Sequence, residues 1–171
     1  DPFTSEAIRY TEDVDLIVHI VGLGTWYNFN RVLDTLGFFT SPHDDVSCRK
    51  RLRDGRDGDL IVDFMPDDAA ILGYSNRWYN EALQQATDYA LASGTIIRVV
   101  TPPYFLGTKL EAWRGRGNND PLASRDVEDI LNVLDGRPSL LDEMAEVDLA
   151  LRRDVADGIA GLLGHRDFPY V

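Results

Sequence analysis

The run VDLIVHIV, Val14 to Val21, is apolar and β-branched apart from Asp15 and His19, and Gly22 and Gly24 close it. Such a run predicts a strand buried for most of its length on both faces. In TWYNFNRVLDTL, Trp26, Phe29, Val32, Leu33 and Leu36 recur at helical spacing and Gly37 follows where a helix would stop, so a helix is expected over 25–36. The segments VSCRKRLR and DLIVDFM flank DGRDGD, whose Asp-Gly and Gly-Asp pairs supply the positive φ of a hairpin turn.

Beyond Met65 and Pro66, SNRWYNEALQQATDYAL reads as a helix capped by Ser75 or Asn76, and TIIRVV, Thr95 to Val100, as a strand. The Pro102-Pro103 pair opens a helix that runs through Lys109 to Trp113, because the first helical turn tolerates proline. After the loop GRGNNDP another helix begins at Ser124. The last, from Ser139, joins a capping-box-like Ser139/Asp142 pair to an apolar stripe at Leu140, Met144, Val147, Leu151, Val155, Ile159 and Leu162. The pattern predicts an α/β (α+β) fold. A mixed sheet with helices on it is expected over residues 1–100 and a helical part over residues 101–171, packed as one domain.

Composition narrows the class. A chain of 171 residues can bury about 70% of its unfolded surface in one core. With 44% hydrophobic and 27% charged residues it is neither a disordered nor a membrane composition. The apolar run at Leu16 to Val21 is interrupted by His19 and falls far short of the ~20 residues of a membrane span. The opening DPFTSEAIRY has neither the basic nor the apolar segment of a secretory leader, and the lone Cys48 has no cysteine to pair with. A cytoplasmic location is therefore expected, with Cys48 as a small buried residue. The net charge of −12 disfavours strong non-specific binding to nucleic acid. A local basic run of Arg49, Lys50, Arg51, Arg53 and Arg56 stands against that balance, although such runs more often form strands and a solvated turn.

The candidate chemistry lies in the carboxylates. Asp13 and Asp15 sit two apart at the start of a strand, so both side chains point to the same face. Carboxylates so close repel one another unless a cation offsets their charge. Asp63, in the otherwise apolar strand DLIVDFM, is a costly residue there unless it is paired or coordinated. Its plain structural explanation is an ion pair with Arg98 or Lys109, or a strand end dipping into solvent. Three carboxylates on two strands suit magnesium, or manganese, and phosphoryl or nucleotidyl transfer is the chemistry such a site performs.

Lys109 lies on a helix whose Leu106, Leu110 and Trp113 would face the core, from which it could reach a triphosphate or snorkel at the surface. Asp126, Glu128 and Asp129 fall in a helix's first turns, where acids suit the dipole whatever their function. Arg77, Trp78 and Tyr79 could stack on a base, but an aromatic pair at a helix start is more often core. The three histidines, His19, His43 and His165, show no metal spacing.

These segments carry a resemblance. RYTEDVDLIV, VDFMP, ILGYSNRWY, TPPYFLGTKLEAWRGRG and SRDVEDILNVLDGRP together resemble the AbiEii/AbiGii-toxin-like nucleotidyltransferases of the polymerase-beta-like superfamily, over roughly residues 9–138. The resemblance implies the nucleotidyltransferase fold and a magnesium-dependent transfer of a nucleoside monophosphate from an NTP to an acceptor hydroxyl. Asp13 and Asp15 would be the first metal-binding pair and Asp63 the third acid. Lys109 would meet the nucleotide's phosphates and Asp126 would belong to a later motif. It further implies a tRNA end or a protein as acceptor and a cognate antitoxin as partner. Such proteins carry a Gly-Gly or Gly-Ser turn before the Asp-x-Asp, and residue 1 falls about where that turn would lie. A chain lacking it is expected to hold phosphate more weakly. Three activities remain open: the transferase, a nucleotidyltransferase-like scaffold that binds a partner without turnover, and a magnesium-dependent phosphohydrolase.

Overall fold

The computed structural model describes residues 13–44, 46–53 and 58–171. The protein is mixed α/β, with seven α-helices and two small sheets among those residues. It divides into two compact units, one within residues 13–83 and one over residues 84–171.

The first unit is built on a three-stranded sheet of β1 (Asp13–Val18), β2 (Arg49–Arg53) and β3 (Asp59–Pro66), in the order β1-β3-β2. β1 runs parallel to β3 and β2 antiparallel to it. The expected hairpin is therefore present, and Gly58, just past its turn, takes a φ of 131° that favours glycine. The turn residues 54–57 lie outside the described residues. Helix α1 (Leu23–Thr35) presents Trp26, Phe29 and Leu33 to Val62 and Phe64 of β3, with Ile20 and Cys48 completing the core. Three aromatic contacts hold this packing, Trp26 on Phe29, Phe29 edge-on to Phe64 and Phe38 edge-on to Phe64, with centroids 5.3 to 5.8 Å apart.

Two expectations fail here. β1 is not buried on both faces: Val14 is 46% and Leu16 42% exposed. They share a face with Val62 and Phe64, but the aromatic side chains of α1 gather over β3 and leave the start of β1 uncovered. Val32 and Leu36 likewise point away from the core, so the helix buries a narrower stripe than its sequence offers.

The two turns that follow β1 and β3 are tied to each other by adjacent aspartates. Asp67 accepts from the Ile20 backbone N–H (3.1 Å) and from His19 Nδ1 (2.7 Å). Asp68 accepts from the Gly22 N–H and from the Ala70 N–H (2.9 Å each), the second bond capping the short helix α2 (Ala69–Leu72). Burial raises the Asp67 carboxyl, but the bonds from His19 and Ile20 outweigh it and hold the group below the usual aspartate value. The N–H groups of Gly22 and Ala70 do the same for Asp68. Both carboxyls thus take up a proton less readily folded than unfolded. Their contribution to stability is fully present above about pH 5 and is lost as pH falls through and below about 4. Asp67→Asn is expected to unfold at a lower temperature than the parent at pH 7 and to lose less on acidification. Parallel melting curves from pH 7 to pH 3 for the two proteins would contradict this.

Helix α3 (Tyr79–Gln85) begins after Asn76, whose side chain accepts from the Trp78 N–H at 3.1 Å. The expected helix through Leu91 stops at Gln85, because Thr87–Ala90 forms β4 and pairs antiparallel with β5 (Ile96–Val99). Thr87, Tyr89 and the β-branched run opposite favour that ladder over a further helical turn. All eight residues of this two-stranded sheet are exposed.

In the second unit α4 (Pro102–Arg116) packs against α5 (Arg125–Gly136), α6 (Leu140–Glu146) and α7 (Leu149–Leu163). Tyr104, Leu106, Leu110, Val127, Ile130, Leu140, Leu151, Val155 and Leu162 are among its buried residues. Ser124 caps α5 by accepting from the Val127 N–H, as its position suggested. The expected single last helix is two. Val147 and Asp148 leave helical geometry and split the stripe, and Ser139 bonds Glu143 (2.6 Å) rather than closing a capping box with Asp142. Among the described residues no helix is long and apolar enough to cross a membrane.

Candidate functional site

The register of the first sheet builds an acidic face. Asp15 on β1 is the partner of Asp63 on β3, and Asp63 is the partner of Arg49 on β2, so the three lie in one row across the sheet. Asp13, two residues before Asp15, lies on the same face. Val62 and Phe64 occupy the opposite face within the core, which is how an apolar strand can carry one acid without burying it in hydrocarbon.

Asp63 is 8% exposed and is held by Arg49. Arg49 Nε donates to Asp63 Oδ1 at 2.8 Å and Nη2 to Asp63 Oδ2 at 2.7 Å, a two-point fork. The same Nη2 donates to Asp13 Oδ2 at 3.1 Å. The guanidinium therefore reaches over β3 to β1 and joins the first and third acids. The bond to Asp63 raises the Arg49 pKa further, so this cation is permanent. Neither partner that the sequence suggested for Asp63 is used. Arg98 donates to the Ala86 carbonyl and Lys109 to Asp129. The partner lies in CRKRLR, and the antiparallel register sets Arg49 opposite Asp63.

The rest of the basic run is divided between the faces rather than gathered into a patch. Arg51 forks onto Asp44, with contacts of 2.6 to 3.1 Å, and that bond keeps the Asp44 carboxyl below its usual value. Lys50 turns to the core face, is 7% exposed, and donates to Thr40 Oγ1 at 3.0 Å. Arg53 lies over the Phe39 ring at 5.5 Å. Arg56 lies outside the described residues. Cys48 is buried as expected, and burial followed by the charge of Asp63 raises its thiol pKa, which keeps it protonated and unreactive.

Oxygen donors of this kind suit magnesium or manganese. Among the described residues, however, no group of three or more His, Cys, Asp or Glu side chains stands assembled as a metal cage. The cation that Asp13 and Asp63 share is Arg49. The donor chemistry, carboxylate oxygen, is of the kind a divalent ion takes.

His19, to which sequence reasoning gave no role, forms a dyad with Asp67 at the far end of the same two strands. Its ring is largely exposed while Asp67 is buried, so the bond fixes the proton on Nδ1 and turns Nε2 to solvent. The signal was the position of both residues just past paired strands.

In the second unit Lys109, Asp126 and Asp129 do come together. Lys109 Nζ donates to Asp129 Oδ2 at 2.6 Å, stands 3.7 Å from Asp126 Oδ1, and lies over the Phe105 ring. Asp126 is 5% exposed and accepts a fork from Arg116 at 2.8 and 2.9 Å. Trp78 is core, as the plainer expectation had it, with the Arg77 guanidinium 5.0 Å above its ring.

Compared with known protein families and with curated proteins, the chain matches none.

Proposed function

We propose that the protein is a nucleotidyltransferase that uses magnesium or manganese to move an NMP from an NTP to an acceptor hydroxyl. The observation that carries this is the shared face of Asp13, Asp15 and Asp63, with Asp15 and Asp63 in direct register on parallel strands. A bound divalent ion would supply charge neutralisation for the phosphates and would be held by these three carboxylates. Residues of the chain do the rest. One of the three carboxylates takes the proton of the acceptor hydroxyl as its oxygen bonds the α-phosphorus, and the bond from that phosphorus to the departing pyrophosphate breaks. Lys109 is a candidate to hold phosphate, Asp126 to hold Lys109 and Arg116 in position, and Arg77 to lie against a base. The acceptor is a tRNA end or a protein, the chain is a candidate toxin for a cognate antitoxin, and it works in the cytoplasm. The test is incubation with NTPs labelled at the α-phosphate, Mg2+ and an RNA or protein acceptor. A covalently labelled acceptor is expected. Labelled NMP without labelled acceptor would replace the transferase with a phosphohydrolase.

One observation favours a second reading. The fork from Arg49 onto Asp63 already neutralises the third acid, as it would in a scaffold that binds a partner without turnover. That scaffold would bind its partner equally well with and without NTP.

A further inference from the structure

Arg49 Nη2 bridges Asp13 and Asp63, standing 3.1 Å from Asp13 Oδ2 and 2.7 Å from Asp63 Oδ2. A small divalent ion held between those same two oxygens would take the place of Nη2. Metal and guanidinium therefore exclude one another.

Release of Arg49 is sterically open but electrostatically conditional. Its side chain is 23% exposed, so a path to solvent exists. Leaving the carboxylates gives up three charge-assisted hydrogen bonds, and free Mg2+ or Mn2+ brings no anion to receive them. A polyphosphate does. The planar fork that fits two carboxylate oxygens fits two phosphate oxygens equally well, and a phosphate chain arrives already carrying the divalent ion.

We propose that Arg49 is a latch on the acidic site: it bridges Asp13 and Asp63 in the resting protein and transfers its fork to the polyphosphate when a metal–polyphosphate complex enters. This rests on the assignment of Asp13, Asp15 and Asp63 as a divalent-ion site. The latch makes the site selective. The free ion is kept out, and ion and polyphosphate bind as one event.

The test is binding, read without turnover. Mn2+ alone and Mn2+ with inorganic triphosphate are titrated into the full chain by calorimetry, with bound Mn2+ followed by electron paramagnetic resonance. The parent protein is expected to take up Mn2+ with triphosphate at least about tenfold more tightly than Mn2+ alone. Arg49→Gln is expected to bind Mn2+ alone at least about tenfold more tightly than the parent and to lose most of the gain from triphosphate. Arg49→Lys, which keeps the charge without the fork and guards against a folding failure in the first variant, should fall between them. Equal affinity for free Mn2+ in the parent and both variants, with binding abolished by Asp63→Asn, overturns the latch and leaves the acidic site standing. Arg49→Lys indistinguishable from the parent also overturns it, since charge rather than bridging would then set the affinity. No Mn2+ binding in any variant, with or without triphosphate, overturns the divalent-ion site and the latch together.

Discussion

Asp63→Asn is expected to reduce NMP transfer by on the order of 10²–10³-fold, the scale of losing one preorganised electrostatic group, while lowering stability by about 2 kcal/mol. The two effects have different origins. The first follows if Asp63 is the third acid of a divalent-ion site, since an amide offers one neutral oxygen in place of a charged pair. The second follows from its fork with Arg49, which an asparagine can accept only in part. Asp63 and Arg49 are largely but not wholly buried, so the cost falls below that of breaking an ion pair in a dry interior. The double variant Asp63→Leu/Arg49→Met separates the effects. Replacing both charges by apolar groups of similar size restores most of the stability and none of the transfer. The check is the urea midpoint beside the yield of labelled acceptor. Transfer that recovers together with stability in the double variant would show that Asp63 serves the fold alone.

The largest effect on stability is expected from Leu110→Ala, about 3 kcal/mol. Leu110 is fully buried on the face of α4 that receives α7, and its two methyl groups each lie 2.9 Å from where a Cβ on Gly158 would stand. Glycine at 158 lets the two helices meet at that point, and the leucine fills the space it leaves. Truncation opens a cavity in a closely packed interior, where Leu106, one turn earlier on α4, and Leu151 of α7 are also buried. The converse change, Gly158→Val, is expected to cost about 1–3 kcal/mol by overpacking against Leu110 and the Arg114 guanidinium. Both are read from denaturant midpoints. A Leu110→Ala loss below about 1 kcal/mol would mean that the α4/α7 contact is looser than described.

Periodicity carried much of this fold. The apolar spacing of α1, the prolines opening α4 and the serine before α5 each led to the element observed, because each is a local rule acting on neighbouring residues. The misses came where tertiary packing outranks local pattern. Val14 and Leu16 belong to a β-branched run, yet their burial depends on which part of the sheet α1 covers. Thr87 to Ala90 continue a helical-looking segment, but pairing with β5 decided their conformation. In the last helix, Val147 fits the stripe and the chain still breaks beside it.

The site was half legible. The shared face of Asp13 and Asp15 follows from strand alternation once their strand is recognised, whereas Asp63 joins them through the parallel register of β1 and β3. What alternation alone could not supply is the cross-strand partner. Arg49 stood in a run of five basic residues expected to form strands and a solvated turn; alternation separates Arg49 and Arg51 from Lys50, and the antiparallel register puts the first two on the acidic face and Lys50 in the core. The His19–Asp67 dyad joins residues 48 apart in sequence, and strand pairing brings them together where no local signal does.

The most direct test of the acidic site is calorimetric titration of Mg2+ and NTP into the protein and into Asp13→Asn/Asp15→Asn. Nucleotide binding that requires the metal and disappears in the double variant is the predicted result; equal binding by both proteins, or none by either, would contradict it.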